Sequence, residues 1–339
     1  MNTSHHEIAL STRVRLARNV KDLSFPERLH KEQAEQAINT LAAPLLGVTD
    51  GGFKLIRLDQ SSRLEALVLM ERHLISPEMA NSRRPRGVVL SPDERISVML
   101  CEEDHLRIQA FNVGLRLGDS LKEAFYADDL IGGTVTYAFD EYLGYLTACP
   151  TNLGTGLRAS VMLHLPALTG IGGMNAIVAA AGKMGLAVRG LYGEGSEARG
   201  SLYQLSNQLT LGLSEEEIVS RVSDVAIHII GQERQLREKI KQKNLHEYED
   251  RVWRALGLLK YARKLTGEEG MRLLSDLRWG VSMGDLDLPL SLLDKLLEAI
   301  QPGVLTSATG RSLRAGERDA ARAEYIRGLL ASYKEGSAS

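Results

Sequence analysis

The sequence predicts a mixed α/β (α+β) protein that continues into an all-helical C-terminal domain, and three observations carry that prediction. Short runs of strand character, among them FKLIRL, RGVVLS and RISVMLC, are interleaved with helical stretches as far as about residue 211. Beyond Ser214 strand signals stop, and almost every segment repeats at helical spacing. At 339 residues, 44% hydrophobic and 25% charged, the chain can bury one large core or two modest ones. We expect two domains, 1–235 and 236–339.

In chain order, apolar residues at helical spacing in KEQAEQAINTLAAPLL predict a first helix over 31–46, followed by the three strand-like runs. Ile96, Val98 and Leu100 alternate with their neighbours, as do Leu106, Ile108 and Ala110, so Glu102, Glu103 and Asp104 fall in a turn between two strands. NVGLRLGDSLKEAFYADDLIGG predicts a helix ended by glycines, and TVTYAF another strand. CPTNLGTGLRAS predicts a glycine-containing loop and a helix opening at Arg158. GIGGMNAIVAAAGKMG lacks both the spacing and the preceding strand of a dinucleotide-binding loop, which leaves a Gly/Ala-rich helix packed closely on a sheet. Ser214 and Glu217 form a capping-box signature that opens the helical tail. Glycines and prolines near 267–270, 280–289 and 302–316 divide that tail into three or four helices, the last being GERDAARAEYIRGLLASYK.

Composition narrows the function. A formal net charge of −2 gives no global attraction to nucleic acid or to an anionic membrane, so recognition has to come from local clusters. Arginine outnumbers lysine 29 to 12, a bias compatible with phosphate chemistry, although the ratio alone favours a high-GC codon bias. Two cysteines, Cys101 and Cys149, rule out a disulfide framework and a four-cysteine zinc site, and fit a reducing cytosol. No signal peptide and no uncharged apolar run of spanning length is present, so a cytoplasmic protein without membrane or nucleic-acid partners is expected. The P-loop, the eukaryotic-type kinase motifs and the HExxH zinc motif are all missing.

Several weaker features accumulate. Three adjacent carboxylates repel one another, which suits either a solvated hairpin tip or a site with cations nearby. STRVR places Arg13 and Arg15 on the same side of an extended segment. Arg158 at a helix start would favour an anion, and VRGLYGEGSEARG carries Arg189 and Glu194 in a glycine-rich loop able to fold over a substrate. Cys101 reads as a small buried hydrophobe at a strand end.

Taken together, STRVRLARN, EEDHLRIQ, CPTNLGTGLRAS and RGLYGE resemble the signature set of the phosphagen kinases, the ATP:guanidino phosphotransferases, in order from residue 11 to about 210. Phosphagen kinases usually carry a helical domain before the STRVR segment. Here ten residues precede it, and the helical extra follows the catalytic region. That arrangement, with the late RDAARA at 318–323, is similar to the bacterial protein-arginine kinases of the McsB type. The resemblance implies an antiparallel sheet flanked by helices, glutamine-synthetase-like, as the catalytic domain.

It further implies that Arg13, Arg15, Arg107, Arg158 and Arg189 hold the phosphates of ATP. The nucleotide would lie along Ser11, Thr12 and Val14, along Ala159, Ser160, Val161 and Met162, and along Gly190, Leu191, Tyr192, Gly193 and Glu194, with His73 beside it. Glu103 matches the catalytic carboxylate, Glu194 its partner across the guanidinium, and Cys149 the reactive cysteine. At Tyr192 and Gly195 the chain departs from the basic residue and histidine common in the family. Arg318, Asp319, Arg322 and Ala323 correspond to an allosteric phosphoarginine pocket, whereas from residues alone they read as a solvated helix face. ATP with Mg²⁺, protein substrates with exposed arginines, an activator protein, a Clp unfoldase or protease, a homodimer and a stress-response role are all implied in the same way.

Elementary chemistry makes the roles sensible. A guanidinium stays protonated near pH 7 and is a poor nucleophile, with a pKa of about 12.5–13.8. Two carboxylates gripping its planar fork can align one nitrogen and take up a proton, and alignment alone can lower a barrier by roughly 7–11 kcal/mol. Arginines and Mg²⁺ meet the charge that spreads over a transferring phosphoryl group. A kinase for free arginine and a non-catalytic phosphoarginine-binding adaptor are the competing readings.

Overall fold

The computed structural model describes residues 5–49, 52–191 and 198–333. Ten strands and twelve α-helices are found among them. Eight strands form one sheet: β1 (Ala9–Arg18), β2 (Lys54–Arg57), β3 (Gly87–Leu90), β4 (Ile96–Leu100), β5 (Leu106–Val113), β8 (Leu157–His164), β9 (Leu186–Gly190) and β10 (Leu202–Asn207). Their order is β2-β3-β4-β5-β1-β8-β10-β9, and every neighbouring pair is antiparallel. β6 (Phe139–Asp140) and β7 (Gly144–Tyr145) make a separate two-stranded ribbon.

Register gives the sheet two unlike faces, because opposed residues of an antiparallel pair share a face and successive residues alternate. Val14 lies between Ala110 and Ala159, and Leu16 between Ile108 and Leu157. Val161 opposes Leu205, which opposes Val188. This face is mostly apolar, with buried Thr12, Arg18 and Asn112 towards its ends, and is covered by α1 (Lys31–Leu46), α4 (Leu117–Gly132) and α7 (Glu215–Lys243). Each completely buried Val, Leu or Ile contributes roughly 1.5–3 kcal/mol, so this side is where the sheet's stability resides.

The α1 span coincides with the predicted helix, and the Ser214–Glu217 capping box forms, Glu217 N donating to Ser214 Oγ at 3.1 Å and Ser214 N to Glu217 Oε2 at 2.8 Å. α7 runs unbroken through residue 235, and Leu236 packs against both the sheet core and a second apolar core. That second core is built by α8 (Leu245–Tyr261), α9 (Gly267–Ser282), α10 (Leu290–Ala299) and α12 (Ala315–Ser332), with α11 (Pro302–Thr309) beside them.

Three expectations need correction. Arg158 does not open a helix: it lies on β8, where Leu157, Ala159, Val161 and Leu163 face the core and Arg158, Ser160 and Met162 face away. Its anion affinity therefore owes nothing to a helix dipole. TVTYAF is mostly irregular, joined to the remainder by a Val20–Tyr137 bridge and by the short β6. Its aromatic residues Tyr137 and Phe139 pack edge-on against Tyr145 of β7 instead, with ring centroids 6.1 and 5.2 Å away. The tail holds five helices after α7 rather than three or four, because Pro302 starts a separate helix close behind α10.

A buried polar network latches the tail to the sheet. Glu233 accepts from the amides of Ala167 and Leu168 at 3.0 and 2.9 Å and from Arg237 Nε at 2.7 Å. Arg237 also donates to His164 O at 2.8 Å and to Ser282 Oγ at 2.6 Å, and Arg278 donates to Asp294 at 2.7 Å and His6 O at 2.7 Å. Among the described residues no helix is long and apolar enough to cross a membrane.

Candidate active site

The second face of the sheet is polar and rich in arginine. Arg13 sits between Phe111 and Ser160, Arg15 between Gln109 and Arg158, and Arg107 opposes Ala17. Continuing outward, Met162 pairs with Gln204 and Gln204 with Arg189. Arg13, Arg15, Arg107, Arg158 and Arg189 thus project from one face of β1, β5, β8 and β9. By the same alternation the side chains of Thr12, Val14, Ala159 and Val161 point into the core. Ser11, Arg13, His73, Ser160, Met162, Leu191 and Gln204 line one cavity with Phe111, and Gly190 ends the strand that leads to it. Tyr192, Gly193, Glu194 and Gly195 lie outside the described residues.

Like charges crowd this face. Burial, then the charges of Arg107 and Arg158, push the Arg13 guanidinium down to about 10. Arg15 is driven well below the usual guanidinium range by burial and then by Arg13, Arg158 and Arg107. Arg158 is lowered by burial and then by Arg189 and Arg107. The buried Nε atoms of Arg15 and Arg158 have no hydrogen-bond partner in the protein. A cluster that repels itself and withholds donors from its own chain suits a polyanion of phosphate geometry.

His73 ends the turn after α2 (Arg63–Glu71) with φ at +61°, a left-handed conformation uncommon outside glycine. Burial and the nearby Arg13 hold its imidazole low, at about 4, so it meets a ligand uncharged at neutral pH.

The acidic turn divides its three carboxylates between different tasks. Glu102 is buried and accepts from Arg107 Nη1 at 2.8 and 2.7 Å, with Ser76 Oγ donating to it as well. Asp104 is also buried, and its Oδ1 accepts from Asn19 Nδ2 at 2.6 Å and from the amide of Ala148 at 2.7 Å. That bond ties the segment carrying Cys149 to the turn. Glu103 alone of the three is exposed; partial burial, then the charge of Asp104, raises its carboxyl above the ordinary range. Glu102, Asp104 and Asn19 are positioning residues that sequence reasoning missed, although the three adjacent acids signalled the place.

Cys149 is half-buried, with Sγ 3.0 Å from Thr151 Oγ1. Its loop can dock against the sheet because Gly154 and Gly156 follow. Gly154 has φ at +100°, and a Cβ there would stand 2.2 Å from Thr210 O; at Gly156 one would stand 2.6 Å from Ala17 O. Cys101 is buried, its thiol pushed up to about 12 by burial, so it is inert packing.

The structure keeps the Arg318–Ala323 segment apart from this face, on α12 within the second core. Arg322 is buried and donates to Leu265 O at 2.7 Å, Ile300 O at 3.1 Å and Asp319 Oδ1 at 2.7 Å. Arg318 donates to Leu313 O at 3.0 Å, and Ala323 is fully buried. Among the described residues no group of three His, Cys, Asp or Glu side chains could hold a metal ion.

Comparison with known proteins agrees with the geometry. Residues 33–236 match the ATP:guanido phosphotransferase C-terminal catalytic domain, and residues 245–339 match the protein-arginine kinase McsB C-terminal domain. The chain is 46% identical to the protein-arginine kinase of Desulforamulus reducens over 330 residues, 96% of this chain and 92% of the relative. It is 45% identical to that of Caldanaerobacter subterraneus, covering 94% of this chain and 96% of the relative. Among solved structures, the duplicated taurocyamine kinase of Schistosoma mansoni with bound transition-state-analogue components superposes with a TM-score of 0.61 at 29% identity, over 67% of this chain and 33% of that one. Lombricine kinase shares the fold with a TM-score of 0.62, over 69% of this chain and 68% of that one. The arginine face, the acidic turn and these likenesses lead to one conclusion: the chain belongs to the ATP:guanido phosphotransferase family, with the protein-arginine kinases as its relatives over nearly its whole length.

Proposed function

We propose that the chain transfers the γ-phosphoryl group of ATP to arginine side chains of proteins. The observation that carries this reading is the register of β1, β5, β8 and β9, which gathers Arg13, Arg15, Arg107, Arg158 and Arg189 on one face beside a turn whose one uncommitted carboxylate is Glu103. The named function of the relatives supports a protein rather than a metabolite as acceptor. In the reaction a guanidino nitrogen attacks the γ-phosphorus, the bond from phosphorus to the ADP oxygen breaks, and an N–P bond forms while the nitrogen gives its proton to Glu103. Cys149, anchored through Ala148 to Asp104, stands beside the accepting guanidinium; Glu194, the second carboxylate that the family resemblance implies, lies outside the described residues. Arg15 and Arg158 supply donors to the polyphosphate, and Arg107 is steadied by Glu102.

Glu102 and Asp104 are already committed within the protein, so the divalent cation would enter on the nucleotide, held by its phosphates. Mg²⁺ supplies charge neutralisation to the phosphoryl oxygens when bound. Residues 1–235 would form the catalytic domain and 236–339 the regulatory one, in a cytoplasmic homodimer of a stress response that marks proteins for Clp-type degradation, with an activator protein as a further partner.

Glu103→Gln keeps the side chain's size and removes the proton acceptor. A loss of about 10²–10⁴ in turnover is expected, read as phosphoarginine on casein by mass spectrometry under neutral conditions. Labelling equal to wild type would remove Glu103 as base, and transfer to free arginine but not to casein would overturn the protein acceptor. In the allosteric part, Asp319→Ala should abolish activation by phosphoarginine while ATP binding persists. Activation retained in that variant would take the Arg318–Ala323 segment out of the account.

A further inference from the structure

We infer that Glu71 is a positioning residue: by capping helix α11 it ties the end of α2 to the C-terminal helices and so holds His73 in the conformation that presents its imidazole to the arginine face. The inference rests on the reading of that face as the site for ATP phosphates. Helix α2 closes with His73 N donating to Met70 O at 2.9 Å and Leu74 N donating to Leu69 O at 2.9 Å, the paired bonds of a Schellman turn. His73, with φ at +61°, is the left-handed residue of that turn. Glycine is the usual occupant because a Cβ is disfavoured there, so a histidine needs surroundings that over-determine its backbone. What results is placement: His73 lines one cavity with Arg13, Ser160 and Gln204.

The turn is held from both sides. After it, the carbonyl of Leu74 accepts from Ser97 Oγ at 2.6 Å and from Gln109 Nε2 at 3.2 Å, which fixes the exit against β4 and β5. Before it, Glu71 reaches α11, whose first turn has no cap of its own: Pro302 lacks an amide hydrogen, and the Gln301 side chain makes no capping bond. Glu71 takes that role from a distant part of the chain. Gly303 N donates to its Oε1 at 2.9 Å and Oε2 at 2.8 Å, and Val304 N donates to Oε2 at 2.9 Å. Such bonds from the positive end of a helix to a carboxylate are charge-assisted and roughly twice as strong as neutral ones. Arg72 adds ion pairs with Glu298 of α10 at 2.8 Å and with Glu94 at 2.9 Å, but both are partly exposed to solvent and weigh less.

The approach of the two helices is close. A Cβ at Gly303 would stand 2.6 Å from Leu67 Cγ and 2.9 Å from Glu71 Oε2, so glycine is what lets α11 come this near to α2. The lock that secures the left-handed His73 therefore belongs half to the catalytic region and half to the tail.

The test is a double-mutant cycle in the full-length protein: wild type, Glu71→Ala, His73→Asn and the two combined, with KM for ATP and kcat on casein measured beside urea denaturation. Asparagine tolerates the left-handed backbone, so His73→Asn removes the imidazole and keeps the turn. Each single change is expected to raise KM for ATP about tenfold with kcat nearly unchanged, the pattern of binding lost equally from ground and transition states. In the combined variant KM stays at the His73→Asn value, while Glu71→Ala lowers stability by the same amount in either background. Gly303→Ala crowds the lock from the tail with Glu71 intact; it should reproduce the KM rise, and it reports if Glu71→Ala folds poorly. Rises that multiply in the combined variant, a KM unmoved by His73→Asn, or a Glu71→Ala protein that loses only stability and kcat would overturn the inference. Wild type that binds no ATP in a calorimetric titration would instead overturn the reading of the arginine face.

Discussion

Two regions of this molecule bury arginines, and they do so under opposite electrical rules. At the junction between sheet and C-terminal helices, Arg237 and Arg278 are almost fully enclosed, and each meets a carboxylate together with carbonyl or hydroxyl oxygens. Burial lowers Arg237, and Glu233 pulls it back. On the polar face of the sheet the leading neighbours of Arg13, Arg15 and Arg158 are other arginines, so burial and neighbour charge act in the same direction. Arg15 feels one opposing carboxylate, Glu102, as the weakest of its influences. The difference separates two uses of one residue type. A guanidinium with an acid holds elements together, whereas a cluster of guanidinium groups stores an unmet demand for negative charge.

The sharpest way to break that comparison is to remove one arginine from each region. Arg237→Met leaves the Glu233 carboxylate buried without its ion pair, and a loss of about 3–5 kcal/mol is expected by urea denaturation. Arg15→Met takes a repelled charge out of a crowded face. The expected outcome is a folded protein at least as stable as wild type, with ATP affinity lost, as measured by calorimetric titration. Equal stability losses in the two variants would mean that the arginine face is structural after all.

How much of this was visible in the sequence depends on how local the cause is. Helix α1, the Ser214 cap and the position of the acidic turn were legible because periodicity and capping act within a few residues. Arg158 shows where local reading fails. A glycine-rich loop before a basic residue suggested a helix start, yet LRASVMLH alternates with a period of two, and pairing with β1 decides the matter. The five arginines could be assembled by resemblance, but their common face follows from the register of strands far apart in sequence, which no single-chain pattern encodes. Glu102 and Asp104 stayed hidden among the acids for the same reason: their partners Arg107, Ser76, Asn19 and Ala148 define them, and three of those four come from other segments.

A smaller effect sharpens the comparison at the acidic turn, where repulsion acts on carboxylates instead of guanidinium groups. Partial burial first and the Asp104 charge second hold the Glu103 carboxyl above its ordinary range. If Glu103 must be ionised to accept a proton, activity falls as pH drops through that raised value, and the acid limb of turnover lies higher than for a free glutamate. The folded state binds this proton more tightly than the unfolded chain, so Glu103 contributes a gain in stability over the same descent. His73 acts oppositely: held at about 4, it costs stability as pH falls below its unfolded value of 6.5. Turnover, rather than melting temperature, is therefore the readout that isolates Glu103. Asp104→Asn removes the second cause alone, because both bonds to Asp104 reach Oδ1 and an amide oxygen can accept them. The acid limb should move to lower pH in that variant while Cys149 stays in place, with turnover at pH 8 close to wild type. A limb that moves upward, or does not move, would show that Glu103 is not the titrating base or that Asp104 does not act on it through charge.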